Sequence, residues 1–151
     1  MDKWTLRYLK MAKEIAQWSK DPSTKVGAVV VGEDGQILSQ GYNGFPRGVH
    51  DLEERLHTRE AKYRYTIHAE MNCVYNASLS GVSLKNSSIY VYGLPICHEC
   101  AKGVIQSGIK RVFCVYDQEL REKWAESWVY SLTMFDEAGV ESQTFLTTDI
   151  K

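Results

Sequence analysis

Thr66-Ile67-His68-Ala69-Glu70-Met71-Asn72 and, further along, Pro95-Ile96-Cys97-His98-Glu99-Cys100 decide how this chain is read. Each piece leads from a short strand-like or turn segment into a helical pattern, which sets its polar residues at the open end of a helix. Cys97 and Cys100, at i and i+3, share one face of a first helical turn. His68 and Glu70, at i and i+2, would point apart along a helix side and converge only at its beginning. Helix N-termini are electropositive, favouring thiolates on the cysteines and a carboxylate on Glu70. One histidine and two cysteines can hold a metal with a fourth position left for water, and the carboxylate is then free to move protons.

Outward from these pieces, the pattern predicts an α/β protein. Trp4 to about Lys20 reads as a helix with Trp4, Tyr8, Met11, Ile15 and Trp18 on the buried stripe, capped by Asp2 and ended by Asp21-Pro22. Lys25–Val31 is a nearly continuous apolar run, as in a strand buried on both faces, and Ile37–Tyr42 completes a hairpin across Gly32-Glu33-Asp34-Gly35. The loop Gly41-Tyr42-Asn43-Gly44-Phe45-Pro46-Arg47-Gly48 suits an approach to a ligand, and 51–62 reads as a short charged surface helix. The helix opened by His68 should stop near Gly81, with Met71, Val74, Tyr75 and Leu79 as its apolar side. Strands over 88–92, 111–115 and 140–146 alternate with a helix from Cys97 to Ser107 and a long helix over 121–138, whose stripe is Trp124, Trp128, Leu132 and Phe135. This order predicts a three-layer α-β-α sandwich: one domain over 1–151, with a mixed five-stranded central sheet, helices on both faces, and strands that run parallel after the hairpin.

Composition bounds the function. A net charge of -1 gives no broad cationic face for nucleic acid, and no apolar run approaches the ~18 residues of a membrane helix. The N-terminal stretch is amphipathic and lacks the apolar core of a signal peptide. Of the 4 cysteines, Cys97 and Cys100 are spaced as ligands or a redox pair, while Cys73 and Cys114 stand alone in apolar segments. That is not a secreted disulfide framework, so a cytoplasmic location is expected.

C-x-x-C alone also fits a redox pair or a structural zinc site. A closed structural site needs a fourth ligand, and His98, between the cysteines, should project to another side of the helix. H-x-E and P-x-C-x-x-C together, each at the start of a helix, match the signature of zinc deaminases. The chain resembles the cytidine deaminase-like superfamily and, within it, the deoxycytidylate deaminase family. The resemblance runs through SKDPSTKVGAVVV (19–31), GYNGFPRGV (41–49), KYRYTIHAEMN (62–72) and PICHECAKGVIQSGIKRV (95–112). The GYNG-P-G loop and the charged insertion before His68 point to the deoxycytidylate branch.

The resemblance implies a zinc held by His68, Cys97 and Cys100, with Glu70 moving protons from water to N3 of cytosine and then to the leaving amino group. Some relatives carry a second, structural zinc, but Ser19, His50 and His98 offer no extra cysteine here, so one zinc per chain is expected. The substrate would be dCMP and the product dUMP, a supply for thymidylate synthesis. Asn43 would hydrogen-bond the sugar and the Ala69 N–H the pyrimidine carbonyl. The resemblance also implies a homo-oligomer, often a hexamer, regulated by dCTP with Mg2+ and by dTTP. For the 5′-phosphate, Lys25 and Arg121 stand near strand ends expected to ring the site, and Tyr116 could line the same wall. One departure is Ile96, where the superfamily usually has proline; Pro95 stands one place earlier. Three other readings compete: a nucleoside cytidine deaminase, a tRNA adenosine deaminase, and a non-catalytic zinc module, which would have no use for Glu70.

Overall fold

The computed structural model describes residues 1–151. Five strands form one sheet in the order β2-β1-β3-β4-β5: β1 (Gly27–Val31), β2 (Ile37–Tyr42), β3 (Ser88–Tyr92), β4 (Arg111–Tyr116) and β5 (Glu141–Leu146). β1 pairs antiparallel with both β2 and β3, whereas β3, β4 and β5 run parallel. The mixed five-stranded sheet therefore forms as its strand signals predict.

The helices are α1 (Lys3–Ala16), α2 (Glu53–His57), α3 (Arg59–Tyr65), α4 (Ala69–Ser80), α5 (His98–Gln106), α6 (Gln118–Lys123) and α7 (Ala125–Ala138), followed by a 3-10 turn at Thr147–Ile150. Every residue of β1 is buried, and alternation divides its side chains between two layers. Val29 and Val31 pack with Leu9, Ala12 and Ile15 of α1. Ala28 and Val30 pack with α4, α5 and α7 through Cys73, Val104 and Phe135. Helices thus cover both faces of the sheet. No helix is long and apolar enough to cross a membrane.

Two helices bury a different face from the one their large residues suggest. In α1 the buried residues are Thr5, Leu9, Ala12, Ile15 and Ala16, while Trp4 and Trp18 are more than half exposed. The helix also ends at Ala16, short of Asp21-Pro22, although Asp2 caps it as expected through the Trp4 and Thr5 amides at 2.9 Å. Close approach explains the shift. A Cβ on Gly27 would collide with the Ala12 carbonyl and the Ala16 amide, so at Gly27 α1 meets β1 backbone to backbone, through Ala12 and Ala16. α4 does the same. Ala69, Glu70, Cys73 and Ala77 are buried, Leu79 is 72% exposed, and Tyr75 faces outward. Its backbone runs so near β2 that a Cβ on Gly41 would stand 2.7 Å from the Ala69 carbonyl.

The remaining differences are local. The 51–62 stretch and its sequel fold as two short helices, α2 and α3, meeting at extended Thr58. The long helix expected over 121–138 breaks at Trp124 (φ -105°, ψ 11°) into α6 and α7. Of its expected stripe, Trp128 and Phe135 are buried, while Trp124 and Leu132 are half-buried.

Candidate metal centre and adjoining cavity

His68 is the N-cap of α4, and Cys97 is the N-cap of α5. Both have extended backbone, with φ near -69° and ψ between 153° and 161°, so each side chain stands beside the open first turn of its helix. β1 and β3 pair next to each other, and α4 and α5 lie side by side on one face of the sheet. That places the two helix starts together. The Cys97 sulfur accepts the Cys100 N–H at 3.4 Å, which locks the C-x-x-C turn.

The outcome is a cluster of three donor atoms within 4.8 Å of one another: one each from His68, Cys97 and Cys100. Nδ1 of His68 lies 3.4 Å from the Cys97 sulfur and 3.3 Å from the Cys100 sulfur. Tetrahedral zinc with Zn–N and Zn–S bonds of about 2.0 and 2.3 Å would hold such atoms about 3.5 Å apart. The donor set and spacing therefore fit that ion. His98 turns away from the cluster: its ring and its amide both meet Ser127 Oγ, at 2.9 and 3.0 Å.

Electrostatics at the cluster are those of a cation site. The Cys100 thiol, together with His68, holds Cys97 far below the ordinary thiol range, at about 4. The facing Cys97 charge and burial push the Cys100 thiol upward. Contact with Cys97 raises His68 to about 9 against the effect of burial, and the Glu70 carboxyl adds to the rise. Burial, reinforced by the Cys97 charge, lifts Glu70 to about 7, partly opposed by His68. A buried carboxyl beside a metal-donor cluster is suited to taking and giving protons.

A cavity of about 330 Å³ opens beside the cluster. Its wall includes His68, Glu70 and Cys97, the apolar residues Val26, Leu94 and Pro95, and Asn43 and Ala69. Ala69 sits in the first turn of α4, where helix N–H groups lack partners within the helix. Asn43 also ties the scaffold together. Its Oδ1 accepts the Val26 N–H at 2.9 Å and its Nδ2 donates to the Thr24 carbonyl at 2.9 Å, which fixes the 19–26 segment against the end of β2.

Lys25, Arg121 and Tyr116 do not line this cavity. Lys25 Nζ donates to the Ser19 carbonyl at 2.5 Å. Arg121 is exposed on α6, and Tyr116 is buried at 1% exposure in the core beneath α7. The basic side chains on its wall are instead His57, Arg59, Lys62 and Lys123. Lys62 is buried and forms an ion pair with Asp21 at 3.2 Å, with Ser23 Oγ at 3.3 Å. One signal pointed to three of these: His57, Arg59 and Lys62 lie in the charged insertion that precedes His68. Lys123 and Trp124 reach the cavity because the helix breaks there, which no periodicity foretold.

The sequence matches the family "Cytidine and deoxycytidylate deaminase zinc-binding region" over residues 2–116. It is 41% identical to an uncharacterized deaminase of the luxG 3′ region of Aliivibrio fischeri, over 99% of this chain and 98% of that one. It is 36% identical to the deoxycytidylate deaminase of Homo sapiens, over 95% of this chain and 80% of that one. Its fold superposes on the dCMP deaminase of cyanophage S-TIM5, solved in complex with dCMP and dUMP, with a TM-score of 0.74 at 26% identity, covering 96% of this chain and 99% of that one. This chain belongs to the cytidine and deoxycytidylate deaminase family.

Proposed function

We propose that this protein hydrolyses dCMP to dUMP and ammonia, with zinc held by His68, Cys97 and Cys100. The observation that carries the reading is the three-donor cluster, with buried Glu70 beside it and a nucleotide-sized cavity in front. Relatives named as deoxycytidylate deaminases, and a fold shared with one solved with dCMP and dUMP, support this substrate over cytidine or adenosine.

A zinc ion bound there supplies water activated for attack near neutral pH. The chain's own residues then do the rest. Val26, Leu94 and Pro95 offer the base an apolar slot, and the Ala69 N–H would meet its carbonyl. Glu70 would accept a proton from water and give it to N3 as C4 is attacked, then take the proton of the new C4 hydroxyl and pass it to the amino group, which leaves as ammonia as the C4 carbonyl forms. Asn43, fixed by two backbone partners, would meet the sugar. Arg59, Lys62 and Lys123 supply positive charge for the 5′-phosphate, with Ser23 as a neutral donor. A base arriving on a free nucleotide need not be flipped from a duplex, so no wide cationic groove is required. A non-catalytic zinc module would give no reason to bury Glu70 at the cavity wall. Release of ammonia from dCMP by the zinc-loaded protein tests the reading.

We further propose that 1–151 acts as one catalytic domain in the cytoplasm, assembles as a homo-oligomer and responds to dCTP with Mg2+ and to dTTP. A second cavity of about 330 Å³, lined by Trp18, Tyr42, Phe45, Arg47 and Asn76 around the 41–48 loop, supports the last point by offering aromatic faces and a cation to a nucleotide. A shift of the dCMP saturation curve on adding dCTP and Mg2+ tests it.

A further inference from the structure

Cys97 is held from the far side of α5 by a helix that contributes nothing to the donor cluster. Ser131 of α7, fully buried, donates its hydroxyl to the Ile96 carbonyl at 2.7 Å. One turn earlier, Ser127 Oγ accepts the His98 N–H at 3.0 Å and meets the His98 ring at 2.9 Å. The two peptide groups on either side of the Cys97 Cα are therefore both tied to hydroxyls on a single face of α7. These two planes set the Cys97 backbone angles, and with them the direction in which its sulfur leaves the chain. Cys100 needs no such help, because it already lies within the first turn of α5.

We propose that Ser127 and Ser131 are positioning residues for the metal centre. They pin the Cys97 peptide so that its sulfur meets the metal without first reorganising the loop. The proposal rests on the reading that His68, Cys97 and Cys100 hold zinc. Ser131 has a competing partner, the Ser127 carbonyl at 3.2 Å. The shorter bond to the Ile96 carbonyl, buried with no exposure, is the one whose loss would strand a polar atom. Groups that orient a metal's ligands typically change metal affinity by about 10- to 100-fold when removed.

Zinc-loaded wild type, Ser127→Ala, Ser131→Ala and Ser127→Thr are each mixed with a chromogenic zinc chelator, and each is melted with and without zinc. The expected result is zinc loss about tenfold or more faster from both alanine variants, and a smaller rise in Tm on zinc binding than in wild type. Ser127→Thr keeps the hydroxyl and should stay near the wild-type rate. Zinc loss at the wild-type rate, with Tm lowered equally in the presence and absence of metal, would show plain helix packing and overturn the proposal. If Ser131→Ala does not fold, Ser127→Ala, at a half-buried position, decides alone. A wild type that holds no zinc would overturn the metal reading and this proposal with it.

Discussion

His68 and Cys97 each cap the start of a different helix, and Nδ1 of one lies 3.4 Å from the sulfur of the other. Neither side chain is spent on capping hydrogen bonds within α4, and in α5 only the weak contact to the Cys100 N–H is made. The helix starts thereby bring their partial positive charge to a place where a thiolate and a carboxylate are wanted.

Glu70→Gln keeps the size of the side chain but cannot shuttle a proton. It should retain zinc at the wild-type stoichiometry and lose about 10²- to 10⁴-fold in kcat on dCMP. Zinc analysis beside steady-state kinetics checks this. Turnover within a few-fold of wild type would remove Glu70 from the chemistry.

The same residue governs a pH effect in the metal-stripped protein. Burial raises Glu70 from the ordinary 4.5 to about 7 in the folded state. Below the unfolded value both states are protonated and folding carries no ionisation penalty. As pH rises through about 7 the buried carboxyl must charge, and that stability is lost. Metal-free Glu70→Gln should therefore gain on metal-free wild type between about pH 4.5 and 7, by on the order of 3 kcal/mol at most. Urea denaturation of both proteins across this range checks it.

Much of this could be read from the chain before any coordinates. The strands of the sheet fall within two residues of their apolar runs, because strand signals are short and bounded by glycine turns. The donor cluster was legible because its spacing is set by helical geometry, which is local. What escaped was set by distant packing. Trp4 and Leu79 look like core residues, but Gly27 and Gly41 admit their helices so closely at Ala12 and Ala16, and at Ala69 and Cys73, that the buried faces turn away from them. Arg121 looked like a phosphate ligand on an unbroken helix, and the break at Trp124 brings Lys123 to the cavity instead.

That break leads to a paired test. Arg59→Ala and Lys123→Ala remove cations from the cavity wall and should each raise KM for dCMP by about tenfold, the scale of one charge-assisted contact. Arg121→Ala lies outside the wall and should leave KM unchanged. The reverse pattern would return phosphate recognition to α6.

Gly41→Ala tests the seat of the metal-bearing helix. The new Cβ would stand 2.7 Å from the Ala69 carbonyl and 2.8 Å from the Cys73 amide, so the first turns of α4 must move outward. Overpacking of this kind costs about 1–3 kcal/mol, and it should also lower zinc occupancy, since His68 moves with the helix. Denaturation midpoints and metal content measured on one preparation check both effects.

The most direct measurement compares ammonia release from dCMP, deoxycytidine and CMP under identical conditions with the zinc-loaded protein. The account predicts turnover of dCMP, with kcat/KM at least about 100-fold above deoxycytidine, as expected when two or more charged hydrogen bonds to phosphate are lost. Equal rates on dCMP and deoxycytidine, or no ammonia from dCMP at all, would contradict it.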